Sequence, residues 1–310
     1  MIGPAIVGPR FVLCEVKTTV GALAQPPGAC GLVHFHDAMT DAPPCLTLLT
    51  DFGYEAGFVG TLHLVAYSIS PAARVIDLDH SIPHGDVRLG ALRLERAVRL
   101  LPPGVHVGVV DPGVGSARRP VALRAGGRLF VGPDNGLLVW AADAAGGVEE
   151  AVVLDDEQWF LEGRAKTFDG RDVFVPVAAH LLRGASLSEV GTRCEPGGLV
   201  RLERPVARLR GDGALEAEVL QVDGFGNVQL SASRPVVEEL GARAGDPLVV
   251  DWSGKRLHAV FGTAFSDVGI GETVLLLDSD GCLACSVNGG RGDALLDARP
   301  GSLVRVARPR

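Results

Sequence analysis

The chain has 310 residues, 47% hydrophobic and 21% charged, with a mean hydropathy of +0.25. That length and balance support a substantial core and about two domains, and exclude a disordered chain. A net charge of −8 and a pI near 5.5 exclude general nucleic-acid binding, which needs a basic footprint.

Residues 1–44 are rich in Gly, Pro, Ala and Cys and show no sustained period. They are expected to be an irregular segment. Signal-peptide order is missing, and Met39 stands just before the first strong strand, so a natural start at Met39 is one expectation. His34 and His36 have no third ligand nearby, so no metal is expected.

From residue 46 the chain alternates. Leu46–Thr50 reads as a buried strand and 57–69 as a helix stopped by Ser70-Pro71. Arg74–Leu78 is a second strand. Asp86–Leu101 is a long amphipathic helix ended by Pro102-Pro103-Gly104. Val105–Val110 is a third strand, the run around Leu129–Val131 a fourth, and Gly136–Ala145 a helix. This order predicts a largely parallel sheet covered by helices, with ligands at the carboxyl ends of strands. Beyond about residue 187 the texture changes to short alternating runs punctuated by turns, from Glu216–Val222 to Leu303–Ala307. The fold class is therefore α/β: a Rossmann-like mixed or parallel sheet domain (45–187), a linker (188–205) and a small β-barrel domain (206–310).

Six cysteines are too few for a disulfide scaffold of this length, and no apolar run is long enough to span a membrane. A cytoplasmic protein is expected. Cys282 and Cys285 form one Cys-x-x-Cys in an apolar stretch, where strand alternation points them to opposite faces as two small core residues.

Several turns could carry chemistry. In VVDPGVGSARRP, Asp111 ends a strand and Arg118 follows after a glycine turn that can bring the two together. The stretch lacks the third glycine of a dinucleotide fingerprint and the Gly-Lys-Ser/Thr of a phosphate loop. It is either a strand-ending turn with a surface ion pair, or a carboxylate and guanidinium acting on one substrate. Asp51, in LTDFG, is placed to accept from a ribose diol or to cap a turn. Asp77, Asp79 and His80 read as turn and capping residues. Asp134-Asn135-Gly136 is a strong turn signal. Lys166–Phe174 packs four charges around a glycine before an apolar helix. Asp223 and Asn227, in VDGFGNV, either face a polar ligand or shape the turn.

Taken together, LTDFG, IPHGDVRLGA, VVDPGVGSARRP, FVGPDNGLL, TFDGRDVFVPVAAH, DGFGN and TAFSD, in that order over about residues 46–305, resemble the S-adenosyl-L-methionine hydroxide adenosyltransferases, relatives of the fluorinases and chlorinases. The resemblance implies an α/β domain, a β-barrel, and a homotrimer with active sites between neighbouring subunits. It implies hydrolysis of S-adenosyl-L-methionine to adenosine and L-methionine, with no cofactor and no metal. By the same resemblance, Asp51 holds the ribose hydroxyls. Asp111 and Arg118 match two members of a water-handling triad. Phe265 packs on the adenine, Asp223 meets the methionine ammonium, and Asn227 and Asn288 approach the adenine. The third triad member is a histidine in the family pattern, and here that position is Asp169. Residues 278–287 match the family's substrate loop only loosely.

The chemistry asks for a site that orients water against C5′ of the ribose, accepts its proton and excludes bulk solvent. Arginine cannot be the base at neutral pH, but can favour developing hydroxide character. Two alternatives accompany hydrolysis. A halide-dependent adenosyltransferase is opposed by the carboxylate of Asp111, because a desolvated halide tolerates no carboxylate beside it; the halogenating relatives carry a tyrosine there. A non-catalytic binder of S-adenosyl-methionine or adenosine draws support from the missing histidine.

Overall fold

A computed structural model describes residues 45–309; the segment before Cys45, with Met39, His34 and His36, lies outside them. The first sheet contains β1 (Cys45–Thr50), β2 (Arg74–Asp79), β3 (Gly104–Val109), β4 (Pro120–Ala125), β5 (Arg128–Pro133), β6 (Glu150–Val153) and β7 (Thr192–Arg193). Their spatial order is β2-β1-β3-β5-β4-β6-β7. Four strands, β2, β1, β3 and β5, run parallel, and the β4, β6 and β7 side is antiparallel. β1 lies between two parallel neighbours and is buried along its whole length, which is why it reads as an unbroken apolar run.

Helices cover both faces. α1 (Phe58–Ile69) and α4 (Val175–Leu182) pack on one side, and α2 (Val87–Ala97) and α3 (Val139–Ala144) on the other. α5 (Leu187–Val190) is a single turn opened by a Ser186–Glu189 capping box. α2 starts where Asp86 accepts from the Leu89 N–H, and its helical hydrogen bonding ends at Ala97, before the two prolines. The strands of this sheet missing from the sequence reading are β6, β7 and, deeper in the sheet, β4. The hairpin of β4 with β5 turns at Gly126-Gly127, both at positive φ, as a tight two-residue turn requires. A side chain at Gly126 is impossible, because its Cβ would lie 2.1 Å from the Ala145 carbonyl.

The second sheet adds β8 (Arg208–Leu209), β9 (Leu215–Val222), β10 (Val228–Ser233), β11 (Pro247–Trp252), β12 (Lys255–Phe261), β13 (Thr273–Leu277), β14 (Cys282–Val287) and β15 (Leu303–Ala307). Seven of them close a barrel in the order β9-β10-β14-β13-β12-β11-β15 and back to β9, with β8 outside on β9. Alternation sets its interior: Leu215, Ala217 and Val219 point inward, while Glu216 and Glu218 lie between them on the opposite face. Two short helices, α6 (Arg234–Glu239) and α7 (Gly292–Leu296), contribute Val237 and Leu296 to the same core. Cys285 is buried there, and burial pushes its thiol pKa up to about 12. Cys282 sits on the other face, beside Arg96.

One core histidine makes a stability prediction. His106, on β3, is fully buried and shares a 2.9 Å hydrogen bond between its Nδ1 and Thr47 Oγ1. Burial, helped by the charge of Arg128, lowers its pKa from 6.5 to about 4. The unfolded ring takes a proton near 6.5, whereas the folded one resists until about 4. Its contribution is therefore intact above pH 6.5 and is lost as pH falls towards 4, up to about 3 kcal/mol. Urea midpoints measured across that window should fall less steeply for His106→Asn than for the parent.

Candidate active site

Thr50 pairs with Val109 across β1 and β3, so the turns carrying Asp51 and Asp111 leave the carboxyl edge of the sheet side by side. Asp51 is nearly buried. Its Oδ2 accepts from the Gly85 N–H at 2.8 Å and lies 3.2 Å from His84 Nδ1.

Asp111 and Arg118 meet as the glycine turn allows, but they are not a surface pair. Their side chains are 5% and 11% exposed. Arg118 Nε donates to Asp111 Oδ2 at 2.9 Å and to Oδ1 at 3.1 Å, and Nη2 donates to Oδ2 as well. The same Nη2 reaches Asp169 Oδ2 at 2.5 Å. Asp169 is 2% exposed, and its other oxygen accepts from Arg164 Nη2 at 3.0 Å and Nε at 3.2 Å. Two carboxylates and two guanidinium groups thus alternate: Asp111, Arg118, Asp169, Arg164. Burial alone would lower the Arg118 pKa, but hydrogen bonds and charge from Asp111 and Asp169 outweigh it and hold it above its ordinary value. The Phe174 ring, 5.2 Å from the guanidinium carbon, supports Arg118 from the core side.

Three local features assemble this cluster. Gly115 has a φ of +78° and brings its loop so close to the Lys166 carbonyl that a Cβ would lie 2.9 Å from that oxygen. Phe52, next to Asp51, packs edge-on against Phe168, with ring centres 5.6 Å apart. Gly170 leaves room for Phe52, whose ring would be 3.0 Å from a Cβ there. Asp169 itself stands at the head of a π-helical turn, Gly170–Phe174, that leads into α4. The cluster opens on a cleft of about 390 Å³ lined by Ser116, Arg118, Glu157, Arg164, Lys166 and Asp169, among others.

Neighbouring charges have other tasks. Arg119 Nε donates to Asp134 at 2.9 Å, and its Nη2 to the Gly198 carbonyl at 2.7 Å. Asp172, fully buried, pairs with Arg171 and accepts from the Ala165 N–H, shaping the segment that carries Arg164. Arg164 was missed in the sequence, where isolated arginines in an Arg-rich, Lys-poor chain carry little signal. The turn Gly163-Arg164 ahead of Asp169 is the one hint.

The remaining candidates lie on the barrel. Asp223, Asn227 and Phe265 line one pocket of about 130 Å³ with Gln229, Asp278 and Ser286. Asp223 Oδ1 accepts from the N–H groups of Phe225 and Asn227, and Oδ2 from the Asn227 amide at 2.7 Å. The Ser286 hydroxyl is buried with no hydrogen-bond partner among the described residues. Asn288 is not a lining residue of this pocket. Its amide donates to the Val268 carbonyl at 2.8 Å and ties down the chain just after Phe265. The cleft beside Asp169 takes no residue from the barrel, and the barrel pocket takes none from the α/β half.

Sequence comparison matches residues 46–191 to the SAM hydroxide adenosyltransferase N-terminal domain and 217–305 to the corresponding C-terminal domain. An (R)-S-adenosyl-L-methionine hydrolase of Salinispora tropica is 48% identical over 263 residues, 85% of this chain and 97% of that one. The protein of the same name from Thermus thermophilus is 36% identical, over 83% of this chain and 97% of its own. In fold, the crystal structure of an uncharacterized conserved protein from Thermotoga maritima superposes with a TM-score of 0.79 at 33% identity, covering 85% of this chain and all of that one. With both halves matched in order, and relatives spanned almost end to end, the chain belongs to the SAM hydroxide adenosyltransferase family.

Proposed function

We propose that the protein hydrolyses (R)-S-adenosyl-L-methionine to adenosine and L-methionine, by in-line attack of water on C5′ of the ribose. The observation that carries the reading is the buried Asp111–Arg118–Asp169 cluster beside Asp51 at the carboxyl edge of the sheet. The (R) epimer follows from the names of the relatives. The substrate's sulfonium already makes methionine a good leaving group, so the reaction calls for no cofactor and no metal.

Asp51 accepts from the ribose hydroxyls and fixes the sugar. Asp111 accepts from the attacking water, aims its lone pair and takes up its proton. Arg118 stays protonated and stabilises the negative charge that builds on the oxygen. Asp169, gripped between Arg118 and Arg164, holds Arg118 in place rather than acting as the proton relay that a histidine would be. On the barrel, Phe265 and Asn227 receive the adenine and Asp223 the methionine ammonium. Asn288 keeps the Phe265 loop in place.

Because the cleft and the barrel pocket share no residues within one chain, we place the complete site between neighbouring copies, in a homotrimer. Free thiols at Cys45, Cys194, Cys282 and Cys285 support a reducing cytoplasmic setting. Among the described residues, no helix is long and apolar enough to cross a membrane. We keep the division into an α/β domain and a barrel domain, with the boundary in 188–205.

The test is incubation with each sulfonium epimer in heavy-oxygen water, with separation of the products. Adenosine carrying the heavy oxygen at the 5′ position, formed faster from the (R) epimer, is expected. Tight binding without product would replace hydrolysis by the binder reading, and a halide-dependent 5′-halo product would replace it by the halide reading.

A further inference from the structure

A buried chain of polar groups runs from the surface to the base of the Asp51 turn, and the proposed chemistry does not use it. His80, at the end of β2, has no solvent exposure. Its Nδ1 is 2.7 Å from Thr50 Oγ1, and Thr50 is also fully buried. Thr50 Oγ1 in turn accepts from the Phe52 N–H at 3.2 Å. The His80 backbone carbonyl accepts from the Gly53 N–H at 2.9 Å. One residue therefore grips the Thr50–Gly53 turn by its ring and by its main chain.

The outer end of the chain orders the ring. Asp77 Oδ1 lies 3.0 Å from His80 Nε2 and 2.8 Å from His63 Nε2, with Asp77 and His63 each more than a quarter exposed. Burial opposes ionisation of Asp77, but the two histidines outweigh it and hold its carboxyl below the usual range. The Asp77 carboxylate stands 3.0 Å from Nε2, close enough to favour the proton on that nitrogen though not aligned as a hydrogen bond, which leaves Nδ1 to accept from the Thr50 hydroxyl. The Thr50 oxygen then keeps a lone pair for Phe52. Each group has one role compatible with its neighbours.

We propose that His80 is a positioning residue for Asp51: through Thr50 and Gly53 it fixes the turn that aims the Asp51 carboxylate, and Asp77 sets the tautomer that makes this possible. The proposal rests on the reading that Asp51 holds the ribose hydroxyls. Removing the grip loosens recognition of the sugar without touching the groups that handle water.

The probe is the ratio of affinities for adenosine and 2′-deoxyadenosine, measured by calorimetry on the full chain. Loss of one charged hydrogen bond changes an affinity by roughly tenfold or more, so the parent is expected to favour adenosine by about that factor. In Thr50→Val and His80→Gln the ratio collapses towards one, and 2′-deoxyadenosine, which offers Asp51 only its 3′-hydroxyl, loses less affinity than adenosine. Asp77→Asn, at the exposed end where folding is least at risk, moves the ratio part of the way. A merely structural weakening would lower both affinities together and leave the ratio alone, and that result overturns the proposal. If Asp51→Asn abolishes the preference while all three variants retain it, positioning by His80 is wrong and the ribose reading stands. If Asp51→Asn still prefers adenosine, both fall.

Discussion

Asp111→Asn lowers kcat by about 10²- to 10⁴-fold, the usual worth of a positioned general base. Asparagine keeps the size of the side chain and offers one oxygen to Arg118, but it cannot accept the proton of the attacking water. Since the proposed mechanism sets Asp111 against the reacting water rather than the body of the substrate, KM changes little and the loss appears in kcat. The fold should survive, because Arg118 retains Asp169 at 2.5 Å. Release of adenosine, followed chromatographically with saturating substrate, measures the effect. Turnover close to that of the parent would remove Asp111 from the chemistry and, with it, the hydrolytic mechanism as drawn.

Asp169→Ala has a second large effect, on stability as well as rate. The carboxylate lies between Arg118 and Arg164 and is almost fully buried. Arg118 keeps Asp111 and Arg164 is partly exposed, so the cost is that of the lost charge-assisted hydrogen bonds, about 1–3 kcal/mol. The urea midpoint falls accordingly, and kcat falls because Arg118 is no longer held from both sides. The same geometry makes a sharper statement about the histidine of the family pattern. Asp169→His alone puts a ring between two guanidinium groups, where a protonated imidazole is repelled, and activity does not return. Adding Arg164→Ala removes one of those cations and recovers part of the lost rate. If Asp169→His alone matched or exceeded the parent, Arg164 would have no part in the cluster.

Much of this site was legible because it is local. Asp111 and Arg118 are seven residues apart on one glycine turn, so their meeting needed only the turn. Their burial was not legible. It depends on Gly115 fitting under the Lys166 carbonyl and on Phe174 backing the guanidinium, contacts between loops distant in sequence. Arg164 escaped for a similar reason: only the π-turn and the loop held by Asp172 bring it to Asp169. His80 was assigned a turn role from its neighbours. Asp79 does serve one, accepting from the Ser81 N–H, but the ring of His80 is turned inward to Thr50. The strands of the barrel were readable from alternation, whereas β4 was obscured by the arginine and glycines of its hairpin. Asn288 was matched as an approach to the adenine, yet its amide is engaged by a backbone carbonyl.

The ring of barrel strands has an arithmetic of its own. A closed ring in which every neighbour runs the opposite way needs an even number of members, and this one has seven. One adjacent pair must therefore share a direction, and it is β12 with β13. A hairpin cannot join such a pair. The two strands overlap only where Val260 and Phe261 face Val274 and Leu275, so the chain leaves the rim after Phe261 and returns to the same end. That detour is where Phe265 stands, half exposed over the barrel pocket. An odd count of strands thus obliges the rim to carry an excursion, and the aromatic proposed to meet the adenine occupies it.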